Sequence, residues 1–272
     1  MDEKILPGGR ERGLKPRLAR VADGLARGGY REIIYDIGTD HALLPIYLII
    51  NGMCGTAVAT DISGKSVARA ERNASAAGVT DRMRLYAGDG FGAIPDYKPD
   101  NYVIIAGIGA KNITEILERG GGAPRAAALL ALQPMNGQEV LREWLFLNAY
   151  DILYELLARE GNRVYSLIFC SGADAAKPYS YPEIFMGRNV EYTDRGEYLR
   201  FLRFTRLKIM NRYNGLKSEN TRKARAGEPA ENALSGDISG GPDDARRMET
   251  RRLKEVLDEI ETRIAEVKCL LE

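Results

Sequence analysis

The sequence is short of the residues that usually carry metal, disulfide or histidine chemistry. Its 272 residues include three cysteines and one histidine, His41. Cys54, Cys170 and Cys269 are far apart, odd in number and form no CxxC pair. Neither a disulfide framework nor a metal site is expected, and the cysteines are read as core residues. No apolar run approaches the ~18 residues needed to cross a bilayer, so no membrane contact is expected. The stretch Met1–Arg10 lacks the apolar core of a signal peptide, and a reducing cytoplasm is the expected compartment. An excess of charge is missing too. The 39 Lys and Arg against 38 Asp and Glu leave a formal +1, so any polyanion must be met by a local patch. Also absent is a GxGxxG fingerprint, which a dinucleotide needs to wrap its pyrophosphate over a helix start. A nicotinamide-dependent oxidoreductase is therefore disfavoured.

What is present is an alternation. Leu14–Ala26 reads as an amphipathic helix, with Leu14, Leu18, Val21, Ala22 and Leu25 on one face. Five short apolar runs follow as strands: Glu32–Ile37, Thr56–Thr60, Met83–Tyr86, Tyr102–Ala106 and Ala126–Leu132. Helical stretches separate them, at Ala42–Ile50, Ser63–Ala77, Lys111–Glu118 and Gln138–Leu147. Ser63 suits an N-cap and Gly78 a C-terminal stop. Asp151–Glu160 and Arg163–Cys170 flank Gly161-Asn162 as a hairpin that adds an antiparallel edge. Strands alternating with helices imply a parallel sheet covered on both faces, an α/β fold of Rossmann-like type. Ligands of such sheets bind at the carboxyl ends of the strands.

After residue 170 the composition changes. The first domain is assigned to residues 1–170 and the second to 171–272. Ser171–Arg188 is a loop rich in Pro and Tyr. Glu191–Lys223 and Arg246–Leu271 read as helices, and Arg225–Asp244 as a flexible linker. Leu253, Leu257, Ile260, Ile264, Val267 and Leu271 recur at spacings of four and three. Leu199, Leu202, Ile209, Tyr213 and Leu216 keep the same rhythm, with Arg206 interrupting it. An antiparallel helical hairpin, coiled-coil-like, is expected. Residues 191–225 carry ten Lys and Arg against four Asp and Glu, and residues 226–272 carry seven against twelve. Either Arg200, Arg203 and Lys208 meet RNA phosphates, or the two helices pair by complementary charge.

The chemistry-bearing residues collect at the strand ends. Asp36, Gly38, Asp40 and His41 lie at the end of strand one, where a Gly lets a ligand approach the backbone; a plain turn is the alternative. Asp61, with Ile62 beside it, ends strand two, where a carboxylate can take both hydroxyls of a ribose; capping the next helix is its other role. Asp89 and Gly90 follow strand three, able to accept from an adenine amino group or merely to turn the chain. Three acidic strand ends in order, about 25 residues apart, are more specific than any one. They suit S-adenosyl-L-methionine, which has no phosphate but carries an ammonium and a sulfonium. Ala106 and Gly107 open space after strand four. Gln133 and Asn136 place amides after strand five, able to read a base edge or to cap a helix. His41 is read as a ligand or turn residue rather than a catalyst.

Arg17-Leu-Ala-Arg, Asp36-Ile-Gly-Thr-Asp-His-Ala-Leu-Leu-Pro45, Ile105-Ala-Gly-Ile-Gly109, Leu132-Gln-Pro-Met-Asn136 and Leu141-Arg-Glu-Trp-Leu145 resemble the TrmK family. Its members are bacterial tRNA (adenine-N1) methyltransferases acting on adenine-22, with a C-terminal coiled-coil-like domain. The resemblance is close over residues 14–170, and the His and Pro of its first motif are not part of generic methyltransferase motifs. Met135 stands where the family usually has asparagine. The resemblance implies a tRNA partner, S-adenosylmethionine as cofactor, and no metal. Adenine N1 already has a lone pair, so no strong base is required. A carboxylate near the cationic product would help, and Asp40 is the candidate. The target base must leave its stack. The readings set beside this one are methylation of another RNA or of a small molecule or protein, and a catalytically silent RNA-binding protein of the same fold.

Overall fold

A computed structural model describes residues 14–175, 177–192, 194–226 and 242–270. The chain divides into two compact units, Met1–Tyr179 with Gly187–Tyr192, and Ser180–Met186 with Thr193–Glu272.

The first unit is built on one sheet. Its strands are β1 (Arg31–Ile37), β2 (Cys54–Asp61), β3 (Met83–Ala87), β4 (Tyr102–Ile108), β5 (Leu129–Pro134), β6 (Tyr150–Glu160), β7 (Arg163–Gly172) and β8 (Val190–Glu191), in the order β3-β2-β1-β4-β5-β7-β6-β8. The first five run parallel, and β7 is antiparallel to both β5 and β6. The expected hairpin therefore exists, but it is not an edge: β7 inserts beside β5, and the two-residue β8 pairs parallel with β6. The order in which successive strands are added reverses between β1 and β4, which opens a crevice at their carboxyl ends.

Five helices cover this sheet: α1 (Pro16–Ala26), α2 (Leu43–Ile50), α3 (Gly64–Ala76), α4 (Ala110–Arg119) and α5 (Gln138–Leu147). Alternation along the strands explains both covered faces. Ile34, Ala57, Ala59, Ile104 and Ala131 share a core with residues of α1, α2 and α3. Their neighbours Tyr35, Val58, Val103, Ile105 and Leu130 are equally buried and point to the opposite face. The strand expected from Ala126 begins later, because Pro124–Ala126 forms a 3₁₀ turn and leaves Leu129 as the first paired residue.

Helix α1 is fixed by a close approach. A Cβ on Gly24 would lie 2.0 Å from the Phe169 ring, so only glycine allows this helix to sit so low on the sheet. Tyr154 stacks on Phe169 at 4.7 Å and donates to the Gly24 carbonyl at 2.9 Å.

One feature of the core lies outside hydrophobic patterning. Arg142 of α5 and Glu155 of β6 are both fully buried and joined at 2.8 Å, with Ser166 also bonded to the arginine. The Arg188 amide donates to the same carboxylate at 2.9 Å, which ties the returning segment 187–192 to the sheet.

The second unit contains α6 (Tyr181–Met186), α7 (Arg195–Ala226) and α8 (Pro242–Cys269). The helix α6 falls where a loop was expected. The heptad-like residues do pack: Leu202, Ile209, Leu253, Val256 and Ile260 are buried. The Arg206 that interrupts the rhythm faces Glu261 in an ion pair. Pairs Arg212–Glu249 and Arg246–Glu219 run in the same antiparallel sense. Helix α7 continues through Ala226 and α8 starts at Pro242, so most of the expected 225–244 linker lies outside the described residues. Leu271 does too. Cys54 and Cys170 are buried as expected, whereas Cys269, at the end of α8, is exposed. None of the described helices is long and apolar enough to cross a membrane.

Candidate functional site

The crevice at the strand ends is a cavity of about 1090 Å³. Ten residues expected at a cofactor site line it together: Asp36, Gly38, Asp40, His41, Asp61, Ile62, Asp89, Gly90, Ala106 and Gly107. Local backbone geometry explains how β1 delivers its share. Gly38, Asp40 and Ala42 all have positive φ, at 81°, 43° and 54°, so the chain coils tightly between β1 and α2. The Gly38 and Thr39 amides donate to the Thr60 carbonyl at 2.8 and 3.0 Å, which clamps this turn to the end of β2. A β-branched residue at these positions would strain the turn.

The carboxylates differ in their surroundings. Asp36 is only 6% exposed and accepts a 2.6 Å bond from the Thr39 hydroxyl. Burial pushes its pKa up to about 6; the Thr39 bond opposes that rise and the charge of Asp61 adds to it. Asp61 is half-buried and accepts from the Ser63 amide at 2.8 Å and from the Asp40 amide at 3.2 Å. It thus orders the start of α3, where Ser63 is the N-cap, and lines the cavity. Asp40 is exposed at the rim, 3.2 Å from Arg69 and 3.1 Å from His41. The His41 imidazole also lies 3.0 Å from Arg69, and its carbonyl accepts from Asn73 at 2.8 Å. Asp89 faces Arg119 of α4, each of its oxygens 3.2 Å from a guanidinium nitrogen.

Gln133 and Asn136 fall elsewhere. Gln133 is fully buried and both ends of its amide are occupied within the protein. Its carbonyl oxygen accepts from Arg17 and, at 3.1 Å, from the Gly107 amide, while its nitrogen donates to the Pro134 carbonyl at 2.8 Å. Asn136 is exposed at the start of α5, its side-chain oxygen close to Gly109. Arg200, Arg203 and Lys208 belong to the second unit and do not line the cavity. Arg200 and Arg203 are exposed and without an ion-pair partner among the described residues, and Lys208 is exposed as well. Among the described residues no group of three or more His, Cys, Asp or Glu could hold a metal.

The family model described as a methyltransferase domain matches residues 14–168. A tRNA (adenine(22)-N(1))-methyltransferase of Bacillus subtilis is 30% identical over 166 residues, 61% of this chain and 68% of that protein. The chain belongs to the TrmK family of methyltransferases. Two solved structures of the family share its fold. The structure of M. capricolum TrmK in complex with S-adenosyl-homocysteine superposes with a TM-score of 0.63 at 23% identity, covering 91% of this chain and 99% of that one. The B. subtilis TrmK structure gives 0.59 at 24% identity, covering 94% and 99%.

Several residues around the TrmK-family cavity were not legible as site residues. Arg69 and Arg119 carry no motif of their own, yet each faces an acidic strand end. Arg17 lies 116 residues from Gln133, a pairing no local pattern reveals. Only its place in the Arg17-Leu-Ala-Arg motif set it apart.

Proposed function

We propose that this protein transfers the methyl group of S-adenosylmethionine to N1 of adenine 22 in tRNA. The observation that carries the reading is the assembly of all three acidic strand ends on one cavity at the β1/β4 reversal. Kinship with a tRNA (adenine(22)-N(1))-methyltransferase supplies the substrate.

The residues fit the cofactor by their chemistry. Bound there, S-adenosylmethionine supplies an electrophilic sulfonium methyl. Asp61 has a carboxylate already oriented by two backbone amides, suited to ribose hydroxyls. Asp89 and the exposed Ile62 suit the amino edge and the face of a purine. Asp36, buried and hard to ionise alone, suits an ammonium that would offset its charge. Asp40, at the rim, is assigned to the positive charge that develops on the methylated ring. Its pairing with Arg69 holds the carboxylate in place and tempers its field. Gln133 positions Arg17 and Gly107, and Asn136 remains open to the base. Orientation of N1 toward the methyl group does most of the remaining work, since effective molarity alone can lower a barrier by several kcal/mol.

Residues 1–170 are assigned as the catalytic domain and 171–272 as the helical domain that meets tRNA through Arg200, Arg203 and Lys208. Cytoplasmic action follows from the tRNA substrate. The test is direct. A tRNA transcript with adenine at position 22 is incubated with the protein and methyl-labelled S-adenosylmethionine, and the product is mapped. The reading expects N1-methyladenine at position 22 and no label in an A22G transcript; label elsewhere, or none, overturns it.

A further inference from the structure

Five of the six phenylalanines are buried, as apolar aromatic side chains usually are. The sixth, Phe204 in α7, is 66% exposed, and Leu207, about one turn on, is 57% exposed. Arg200, Arg203, Phe204, Leu207, Lys208 and Asn211 recur at helical spacing, so they share one face, and all six are exposed. The seam with α8 lies on the other side, at Leu202 and Ile209. The cations of α7 divide between the two sides. Arg206 and Arg212 are paired with Glu261 and Glu249 of α8. Arg200 and Arg203 face outward with no acidic partner among the described residues. The helix has two acids, Glu197, which is buried, and Glu219, which is 2.9 Å from Arg246 of α8. Neither belongs to the outward face.

We propose that Phe204 is a stacking platform for an unpaired nucleobase of the tRNA, with Arg200 and Arg203 on the flanking phosphates. This assignment rests on the tRNA reading above. A phenyl ring held out from a helix is a flat apolar surface, and a base laid on it removes both faces from water. A duplex closes its bases off between neighbours and offers such a helix mainly its backbone. Cations alone would suffice for that. The phenylalanine adds a site for a base whose face is open, as in a loop or a bulge. The helical unit thus selects RNA by where it is single-stranded as well as by its charge.

Charge complementarity decides the occupant. A second copy of the chain meeting this face about a two-fold axis would set cation against cation, with no acid on the face to separate them. A bilayer is met by a continuous apolar face, and here two apolar side chains stand among cations and an amide. RNA supplies both anionic oxygens for Arg200 and Arg203 and a flat partner for the ring.

The test follows tRNA affinity against salt, by fluorescence anisotropy of an end-labelled transcript, for full-length wild type, Phe204→Ala, Phe204→Trp and Arg203→Ala. Phe204→Ala should weaken binding by about 5–150-fold, the range of one base–aromatic stack. Its salt slope should not change, because no phosphate contact is lost. Phe204→Trp should bind at least as well as wild type. Arg203→Ala should instead lower the slope by about one unit. A fully paired RNA hairpin should bind wild type and Phe204→Ala within about twofold. The melting temperature of Phe204→Ala should hold, since the ring lies outside the core. Unchanged tRNA affinity in Phe204→Ala overturns the assignment and leaves the tRNA reading standing. The face then belongs to a second copy if the variant loses a dimer in light scattering, or to a membrane if it loses sedimentation with anionic phospholipid vesicles. Equal weakening toward the paired hairpin overturns it too, as does a fall in melting temperature that accounts for the loss. A wild type that binds no tRNA overturns the tRNA reading itself, and the assignment with it.

Discussion

The strand ends of the first unit and the helical pair of the second both rely on charge, but they use it in opposite ways. Around the cavity the charges are few, each held by a named backbone or side-chain partner, and Asp36 is shut away from water. Along α7 and α8 they are many, and most lie in solvent. Coulomb interactions strengthen as water is excluded, so the buried Asp36 outweighs several carboxylates on a helix face. Position, more than count, decides which charges matter.

The largest effect expected from this contrast lies deeper still. Glu155→Ala leaves Arg142 as an uncompensated buried cation and also frees the Arg188 amide. It should cost about 3–5 kcal/mol of stability, read as a lowered midpoint in denaturant. A change below about 1 kcal/mol would show that the pair is reached by water. The surface pair Arg206–Glu261 sets the other end of the scale.

Asp36 comes next. Its folded pKa of about 6 lies above the unfolded value of 3.8, so the folded protein holds the proton more tightly. Free-protein stability should therefore fall as pH rises from about 4 to 6, and above that the ionised form costs about 3 kcal/mol. An ammonium bound beside Asp36 favours the ionised form, so cofactor affinity should run the other way and weaken as pH falls through about 6. Asp36→Asn should flatten the stability profile between about pH 4 and 6 and weaken the cofactor at about pH 7. Thermal melts and calorimetry across that range check both. A profile for Asp36→Asn identical to the wild type would remove this carboxylate from the argument.

The smallest effect is expected on α7. Replacing Arg200, Arg203 and Lys208 with Ala should weaken tRNA binding and flatten its salt dependence by roughly one unit of slope for each phosphate left unneutralised. Cofactor affinity should not change. If the melting temperature falls while tRNA affinity and salt slope hold, the charges serve helix pairing.

Much of this was legible in the sequence, for reasons particular residues show. The parallel strands are buried on both faces, so their apolar runs stood out, and the Gly and Asp residues that end them had no core role to compete with. The helical seam read well because Leu202, Ile209, Leu253 and Ile260 recur at helical spacing. What stayed hidden is short or non-local. The two-residue β8 has no period to detect, and α6 is six residues interrupted by Pro182. That β7 lies inside β6 depends on pairing register, not on either strand's own sequence. Gln133 looked like a base-reading amide because nothing local announced that Arg17 and Gly107 would occupy it. The Arg142–Glu155 pair was invisible for the same reason: charged residues read as surface until a fold buries them.

If acidic strand ends form the cofactor site, Asp61 carries the contact whose loss is easiest to read. Its two oxygens are ordered by the Ser63 and Asp40 amides, ready for a ribose. Calorimetric titration of S-adenosylmethionine into wild type and Asp61→Ala gives the answer in one comparison. Removing the carboxylate should weaken binding by at least about 1.5–3 kcal/mol, roughly 10–150-fold, with the fold intact by circular dichroism. Unchanged affinity in a folded Asp61→Ala protein would show that the acidic strand ends do not hold the cofactor.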